Sequence, residues 1–566
     1  MRGSAFHETV QSNVMRFTAF LIPAILLLLI SPAILMKLTG YGPLDVYSVA
    51  RALLVALLVF LIPTAIFYRN IKLYLVLLLP LVIVTPLFLF STYYFAVPPG
   101  FELIAFILQT NVREASEAIG PFLIYFIPFQ LIFTGCYLFA VAKLPFKVIP
   151  LKTALAISAT SIVILGIITV YVNQVYRKSF HEVSRRDLIL KYDYPVTLAS
   201  GAHEARVFLK KNTLKEAETF SFRAVKNDTL PHRQVYVLII GESSRHDRWQ
   251  INGYRRETSP LLNTVKDLIT YRDVVAGAHY TWVSVPQIIT RANPDNYNLQ
   301  YREKSILGVF REAGFHTYWL SNQSDQDIFW SGSITLHAKT ADISMFSPTY
   351  SPNLEFEDIY DGRLLPILDS VLVADKRNLF IVLHTMGNHW EYSRRYPPEF
   401  DVFQPSGRAQ PINPADHSHR QALLNSYDNS IRYADHFIFN VIRSVEAKAD
   451  IGSVMFISDH GEDLYDTFAE RPDFHFRPSA ATLKVPLFIW TSKSYNSIFQ
   501  AKRLNLEARV SEKIGAENIF YTLADIANIT MQGFDSTKSF SHRAFVPSEQ
   551  KFYGDDKHAR LFRDLP

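Results

Sequence analysis

SVMFISDHGED, residues 453–463, begins as a near-continuous apolar, β-rich run and ends in a cluster of acid, imidazole and glycine. Four more stretches share that texture: QVYVLIIGE at 234–242, FHTYWLSNQ at 315–323, NLFIVLHTMGNH at 378–389 and VPLFIWTS at 485–492. Apolar runs without alternation are strands buried on both faces, as in a parallel or mostly parallel sheet covered by helices. Helical patterns stand between them, at 305–313 and from about 420 to 445. The region from Gln234 onward therefore reads as one α/β domain of about 330 residues, long enough for a large core. Glu242, His389, Asp459 and His460 follow directly on these strands, where open α/β sheets bind ligands.

Outward from that domain the composition changes. The chain has 566 residues, 49% hydrophobic, with a mean hydropathy of +0.08, too apolar for an ordinary soluble protein and too polar for an all-membrane one. Disorder, collagen and disulfide scaffolds are excluded by the same composition. Of 57 Lys+Arg and 52 Asp+Glu, only 10 basic and 5 acidic residues precede position 177, and the remainder balances at 47 of each. The surplus positive charge thus lies in the first third, the pattern of membrane topology charges rather than of a nucleic-acid binder.

Five stretches free of Asp, Glu, Lys and Arg occur there, giving expected spans at about 17–36, 52–68, 73–95, 118–142 and 153–176. Each approaches or exceeds the roughly 20 residues that a spanning helix needs. A cleaved signal peptide does not fit, because four more apolar stretches follow the first. Arg2 and Arg16, Arg69 and Lys72, and Lys143, Lys147 and Lys152 fall on one side of the expected membrane. Basic loops favour the cytoplasm, so the N-terminus is expected inside and everything after the fifth span outside. The expected organisation is a five-span transmembrane domain at 1–176, an interfacial connector at 177–233 and an extracytoplasmic catalytic domain at 234–566. A solvated helical linker is the plainer reading of 177–233. The single cysteine, Cys136, lies in the fourth span, so thiol chemistry is excluded outside the membrane.

Glu242, Asp459 and His460 offer two oxygen ligands and one nitrogen ligand to a divalent cation, a set that suits zinc, with manganese second. The plainer reading of the Asp–His pair is a strand-end turn with a solvated acid. A reactive hydroxyl is available from Ser243, Ser244 or Thr281. Thr281 opens a helical pattern in GAHYTWVSVPQ, where free N–H groups and the positive dipole end favour a phosphate or sulfate. As an ordinary threonine it would simply cap that helix.

With these motifs in place, the chain resembles the bacterial phosphoethanolamine transferases, sulfatase-like members of the alkaline-phosphatase superfamily. The resemblance rests on GESSRHDRWQINGYRRETSP, AHYTWVSVP, HTMGNHWEYSRRYP, YDNSIRYADHFI, SDHGEDLYDT and VPLFIWTS, in family order after five spans. It implies an N-terminal five-helix transmembrane domain followed by a periplasmic sulfatase-like α/β domain in a Gram-negative inner membrane. It further implies Glu242, Thr281, Asp459 and His460 as zinc ligands, with Thr281 as nucleophile. His389 is implied as a proton-transfer or phosphate-contacting residue, and His475 as a substrate contact for which Arg471 or Arg477 could substitute. A second zinc has room near His389 and His475. FILQTNVREASEAI resembles the family segment that meets the lipid donor, which makes Thr110 and Glu114 candidates, with a solvated juxtamembrane face as the alternative. The implied reaction moves phosphoethanolamine from phosphatidylethanolamine to lipopolysaccharide, with no nucleic-acid partner. Having no disulfides outside the membrane, the chain is most similar to transferases acting on the lipopolysaccharide core. Lipid A, a periplasmic glucan or a protein stand as alternative acceptors, and phosphoglycerol transfer of the lipoteichoic-acid type as an alternative reaction.

Overall fold

In the computed structural model the described residues are 21–35, 46–95, 100, 104, 123–144, 148–179, 193–211, 214–323, 332–346, 360–414, 416–470, 472–475, 477–554 and 558–565. They fall into two compact units, one formed by helices before residue 210 and one containing residues 210–566.

In the first unit the five expected stretches are described only in part. Among the described residues, Leu123–Lys143 and Leu151–Tyr171 are long and apolar enough to cross a membrane. Ile71–Leu77 and Leu79–Tyr93 qualify only together, as a pair bent by 44°. Pro80 explains the break: it has no N–H to offer, and its ring clashes with the carbonyl four residues back. Leu21–Leu35 and Ala50–Ala65 are shorter apolar helices, the latter running into a 3₁₀ turn at Ile62–Ala65 that contains Pro63. Absence of charge set the expected lengths, and it does not register these proline-directed breaks. Within this unit Ser158 Oγ donates to the Ile62 carbonyl at 2.7 Å and accepts from Ala65 N at 3.1 Å, satisfying backbone groups that the 3₁₀ turn leaves open.

The second unit is built on seven strands: β1 (Gln234–Gly241), β2 (Leu268–Tyr271), β3 (His316–Ser321), β4 (Ile343–Phe346), β5 (Leu379–His384), β6 (Ile451–Ser458) and β7 (Leu487–Thr491). Their order in the sheet is β2-β7-β6-β1-β5-β3-β4. Pairs from β6 through β4 are parallel, and β7 runs antiparallel to both β6 and β2. All five apolar runs are strands, and the sheet is mixed with a parallel majority.

Every residue of β1, β5 and β6 is buried, as unalternating apolar runs require. Tyr236, Leu238 and Ile240 of β1 pack on one face with Phe380 and Val382 of β5 and with residues of the helices Thr281–Ile289, Ile306–Glu312 and Glu517–Ile526. Phe310 stacks on Phe380 with ring centroids 3.9 Å apart. Burying side chains of this size contributes about 1.5–3 kcal/mol each. The 29-residue helix Arg420–Lys448 packs against β6 and the helix Leu364–Ala374. A short strand, Val225–Lys226, pairs antiparallel with Ile529–Thr530, so the last stretch of the expected connector is already part of this unit's hydrogen bonding.

Candidate active site

Parallel register brings the strand ends together. Gly241 lies opposite Ser458 in the β1–β6 ladder, and Asp459 N donates to the Gly241 carbonyl at 3.0 Å. Glu242 and Asp459–His460 consequently leave adjacent strands side by side. On the other side of β1, β5 delivers the loop 385–389, which Asn388 N ties to the Glu242 carbonyl at 2.9 Å. Ser243 makes the turn after β1 with φ +56°, in the left-handed region that non-glycine residues seldom occupy.

Glycines permit two close approaches. A Cβ at Gly387, where φ is +46°, would lie 2.7 Å from the Glu242 carbonyl oxygen and 2.8 Å from its nitrogen. A Cβ at Gly461 would collide with the Ala481 carbonyl, so the loop beyond His460 can run beneath that segment only as glycine.

Glu242, Asp459 and His460, all buried, offer ligand atoms within 4.8 Å of one another. Thr281 joins them from the first turn of its helix. Its Oγ1 lies 3.0 Å from Glu242 Oε2, 3.3 Å from Glu242 Oε1 and 3.3 Å from His460 Nε2. Tyr280, not Thr281, is the N-cap, and no side chain caps this helix; the threonine hydroxyl faces the carboxylate instead. Ser284 Oγ, one turn along, donates to the Asp459 carbonyl at 2.5 Å. Gln323, beyond β3, donates through Nε2 to Glu242 Oε2 at 3.3 Å and to the Thr385 carbonyl at 2.9 Å.

The electrostatics favour a cation. Burial opposes ionisation of Glu242, but the hydrogen bond and charge of His460 outweigh it and hold the carboxyl well below its usual range. Burial, then the neighbouring Glu242 charge, push Asp459 up. His460 is raised despite its burial, by the charge of Asp459 and by Glu242. The cluster thus retains protons where a dication would displace them. Asp459 Oδ2 is buried and accepts no hydrogen bond among the described residues. His460 Nδ1 lies 2.8 Å from the Gly461 carbonyl; donation there leaves Nε2 as the ligating atom. Two carboxylates, an imidazole and a hydroxyl with an unmatched buried oxygen fit a divalent metal ion.

Two further histidines stand close by. His475 and His460 have ring centroids 4.8 Å apart, and His475 and His389 6.4 Å. His389 Nδ1 lies 2.6 Å from the Trp390 carbonyl, and His475 Nδ1 2.8 Å from Glu462 Oε1. Burial lowers His389 below the ordinary histidine range, against the pull of Glu242, which keeps the imidazole neutral near pH 7.

The structure therefore gathers Glu242, Thr281, Asp459, His460, His389 and His475 at one strand-end crevice. Ser243 and Ser244 are fully buried, Ser243 Oγ donating to Glu242 Oε1 at 2.8 Å and Ser244 Oγ accepting from Trp249 Nε1 at 3.0 Å. Arg477 Nε faces Asp473 at 3.8 Å and its guanidinium lies over Phe468. Thr110, Glu114 and Arg471 lie outside the described residues.

Several motif residues serve the frame. Asp428 in the long helix is fully buried and receives Arg256 at 2.7 Å, Tyr254 Oη at 2.9 Å and Arg248 at 3.5 Å. Asp435, two turns on, accepts from Leu261 N and Leu262 N. GESSRHDRWQINGYRRETSP and YDNSIRYADHFI are thus each other's partners. Sequence reasoning missed Gln323 and Asp361. Asp361 is buried and accepts from Met386 N at 2.8 Å, Gly387 N at 2.9 Å and Asn322 Nδ2 at 2.8 Å. Gln323 closes the FHTYWLSNQ run, so its strand-end position was the available signal; Asp361 follows no strand and gave none.

A metal-fitting carboxylate–imidazole group and a helix-start hydroxyl, at the parallel strand ends of an α/β sheet, define the class. The Sulfatase family model matches residues 234–529, and the chain belongs to that family. Among its relatives, phosphoethanolamine transferase EptC of Escherichia coli O18:K1:H7 is 26% identical over 326 residues, 56% of this chain and 55% of that one. Kdo(2)-lipid A phosphoethanolamine 7''-transferase of Escherichia coli K12 is 29% identical over 303 residues, 50% of this chain and 48% of that one. The chain spans about half the length of these curated relatives in the matched region. Two solved structures share the fold. The integral membrane lipooligosaccharide phosphoethanolamine transferase A of Neisseria meningitidis matches with a TM-score of 0.72 at 21% identity, over 93% of this chain and 98% of that one. The periplasmic domain of EptC from Escherichia coli, in complex with Zn, matches with a TM-score of 0.53 at 24% identity, over 61% of this chain and 96% of that one.

Proposed function

We propose that the protein transfers phosphoethanolamine from phosphatidylethanolamine to a lipopolysaccharide acceptor, core sugar or lipid A, through a phosphoethanolamine–threonine intermediate on Thr281. The observation that carries this reading is the Thr281 hydroxyl, turned away from capping its helix and held 3.0 Å from Glu242 Oε2 and 3.3 Å from His460 Nε2. Relatives that bear phosphoethanolamine transferase names support the transferred group, and the name of one of them supports lipid A as an acceptor.

Glu242, Asp459, His460 and Thr281 would hold zinc. Bound there, zinc would lower the pKa of the hydroxyl and offset negative charge on the phosphoryl oxygens. In the first step Thr281 Oγ1, as the alkoxide, bonds to the donor phosphorus while the bond from phosphorus to the diacylglycerol oxygen breaks. The proton that the Thr281 hydroxyl gives up passes through His389 to that departing oxygen. In the second step the acceptor hydroxyl passes its proton to His389 and attacks phosphorus, the bond to Thr281 breaks, and that proton returns to the Thr281 oxygen. Gln323 and Ser243 orient the Glu242 carboxylate throughout, and His475 contacts the phosphoryl group. The helix start behind Thr281 presents N–H groups toward an anion.

In this reading residues 1–176 form the inner-membrane domain, 177–233 connect along the interface, and 234–566 act in the periplasm. Thr110 and Glu114 then meet the donor lipid. Anchoring suits a donor that is itself a bilayer lipid, since enzyme and substrate share one surface.

The test is covalent trapping. Incubated with donor and no acceptor, the full chain should gain one phosphoethanolamine, mapped by peptide mass spectrometry to the segment containing Thr281. Thr281→Ala should lose the adduct and transfer while remaining folded. An adduct on Ser243 or Ser244, or partial activity in Thr281→Ala, would remove Thr281 from the mechanism.

A further inference from the structure

The segment that carries Thr281 is braced by chain that lies beyond the family-matched region, which ends at residue 529. Lys551–Tyr553 and Ala559–Leu561 form an antiparallel hairpin. Tyr553 N donates to the Gly277 carbonyl at 2.7 Å, four residues before Thr281. Tyr553 also stacks on Tyr297, with ring centroids 4.6 Å apart and planes at 26°. Lys551 Nζ holds Asp295 at 2.7 Å, fixing the turn that presents Tyr297. Gln550 Nε2, at the base of the hairpin, donates to the Asp273 carbonyl at 2.9 Å and the Ile514 carbonyl at 3.2 Å.

Tyr297 then reaches the nucleophile's own helix. Its Oη donates to the Trp282 carbonyl at 3.1 Å. In a regular helix that carbonyl would accept from the N–H four residues on, but residue 286 is proline and has none. Trp282 is partly buried, and the tyrosine hydroxyl gives its carbonyl the donor that Pro286 cannot supply. From the other side Ser284 ties the helix to the Asp459 carbonyl. Thr281 sits between the Gly277 carbonyl that Tyr553 holds and the Trp282 carbonyl that Tyr297 holds.

We infer that Tyr297 and the C-terminal strand pair 551–553 and 559–561 are positioning elements for the Thr281 nucleophile, acting through the Gly277 and Trp282 carbonyls. This inference rests on the reading of Thr281 as nucleophile. Neither tyrosine touches the reacting atoms, so their loss should slow attack by misplacing Thr281 Oγ1 while sparing donor binding. A misplacement of the order of 1 Å costs up to about 10²-fold; partial release of the brace should cost about 10-fold in the same sense.

The experiment compares full-length Tyr297→Phe, Tyr553→Ala and Thr281→Ala, using a fluorescent phosphatidylethanolamine and single-turnover formation of the Thr281 adduct. Tyr297→Phe keeps the ring on Tyr553 and removes only the bond to the Trp282 carbonyl. The expected result for Tyr297→Phe and Tyr553→Ala is a kcat and adduct-formation rate about 10-fold lower, with donor KM within about 2-fold and zinc content as in the wild type. Wild-type rates in both tyrosine variants, beside an inert Thr281→Ala, would overturn the brace and leave the nucleophile standing. Rates that fall only in proportion to lost zinc, or a raised KM with kcat unchanged, would also overturn it, as the mark of a merely structural role. Activity in Thr281→Ala would instead sink the underlying reading.

Discussion

Gly387→Ala tests whether the site depends on the loop 385–389 lying directly on Glu242. The added Cβ would lie 2.7 Å from the Glu242 carbonyl oxygen and 2.8 Å from its nitrogen, where ordinary contacts begin at 3.4 Å. Loop and strand end must therefore part by roughly 0.7 Å, and overpacking a rigid position in this way costs about 1–3 kcal/mol. The φ of +46° adds about 1–2 kcal/mol for a residue with a side chain. Gly314 separates the two effects: its φ is +87°, and a Cβ added there would meet no atom within 4 Å. Gly314→Ala should therefore show the backbone strain alone. Thermal unfolding of both full-length variants is expected to place Gly387→Ala below Gly314→Ala by about 1–3 kcal/mol, and only Gly387→Ala should lose bound zinc and transfer activity. Equal midpoints in the two variants, with zinc retained in Gly387→Ala, would refute the close approach as a determinant of the site.

Asp459→Asn removes a charged oxygen from a site with few ligands, so bound zinc and activity should both fall; full zinc occupancy by elemental analysis would contradict the ligand assignment. Asp428→Ala strips the buried partner from the half-buried Arg248 and Arg256 and from Tyr254, and should destabilise by about 1–3 kcal/mol in thermal unfolding. Burial pushes Asp435 up to about 7, against the pull of the Leu261 and Leu262 N–H groups. Because the folded value lies above the unfolded one, its contribution is complete below the usual aspartate range and is lost as pH rises through about 7. Asp435→Asn should accordingly gain about 2 kcal/mol on the wild type between pH 5 and pH 8, and parallel stability–pH curves would argue against it. A reporter active only outside the cytoplasm should work when fused after Pro566 and fail when fused at Lys147, and the reverse pattern would invert the topology.

How far these features can be read from the chain depends on how local their causes are. β1, β5 and β6 are buried on both faces, so their composition alone marks them. β2 and β4 escape such a reading, because Leu268–Tyr271 and Ile343–Phe346 are four-residue edge strands that alternate in exposure and resemble loop. Glu242, Asp459 and His460 are legible from their strand-end positions. Thr281 is one of three candidate hydroxyls until the family resemblance singles it out, because the Glu242 and His460 contacts that distinguish it cross 39 and 179 residues of sequence. Asp361 and Gln323 act at similar range. Membrane helices show in the absence of charge, which locates apolar chain but not the bend that Pro80 introduces.

The ladder joining β6, β1, β5 and β3 has a consequence for how such a protein can diversify. The register is fixed upstream, by hydrogen bonds between residues that take no part in the chemistry, and each strand then releases its chain at the same edge. The first residues of each loop close on Glu242 and His460 and admit little change, whereas chain farther out is not tied to that register. Under the proposed function, acceptor preference falls to the outer loops and reactivity to the strand ends. On that reading, exchange of outer loops between relatives is a route to new acceptors that leaves the strand-end group in place.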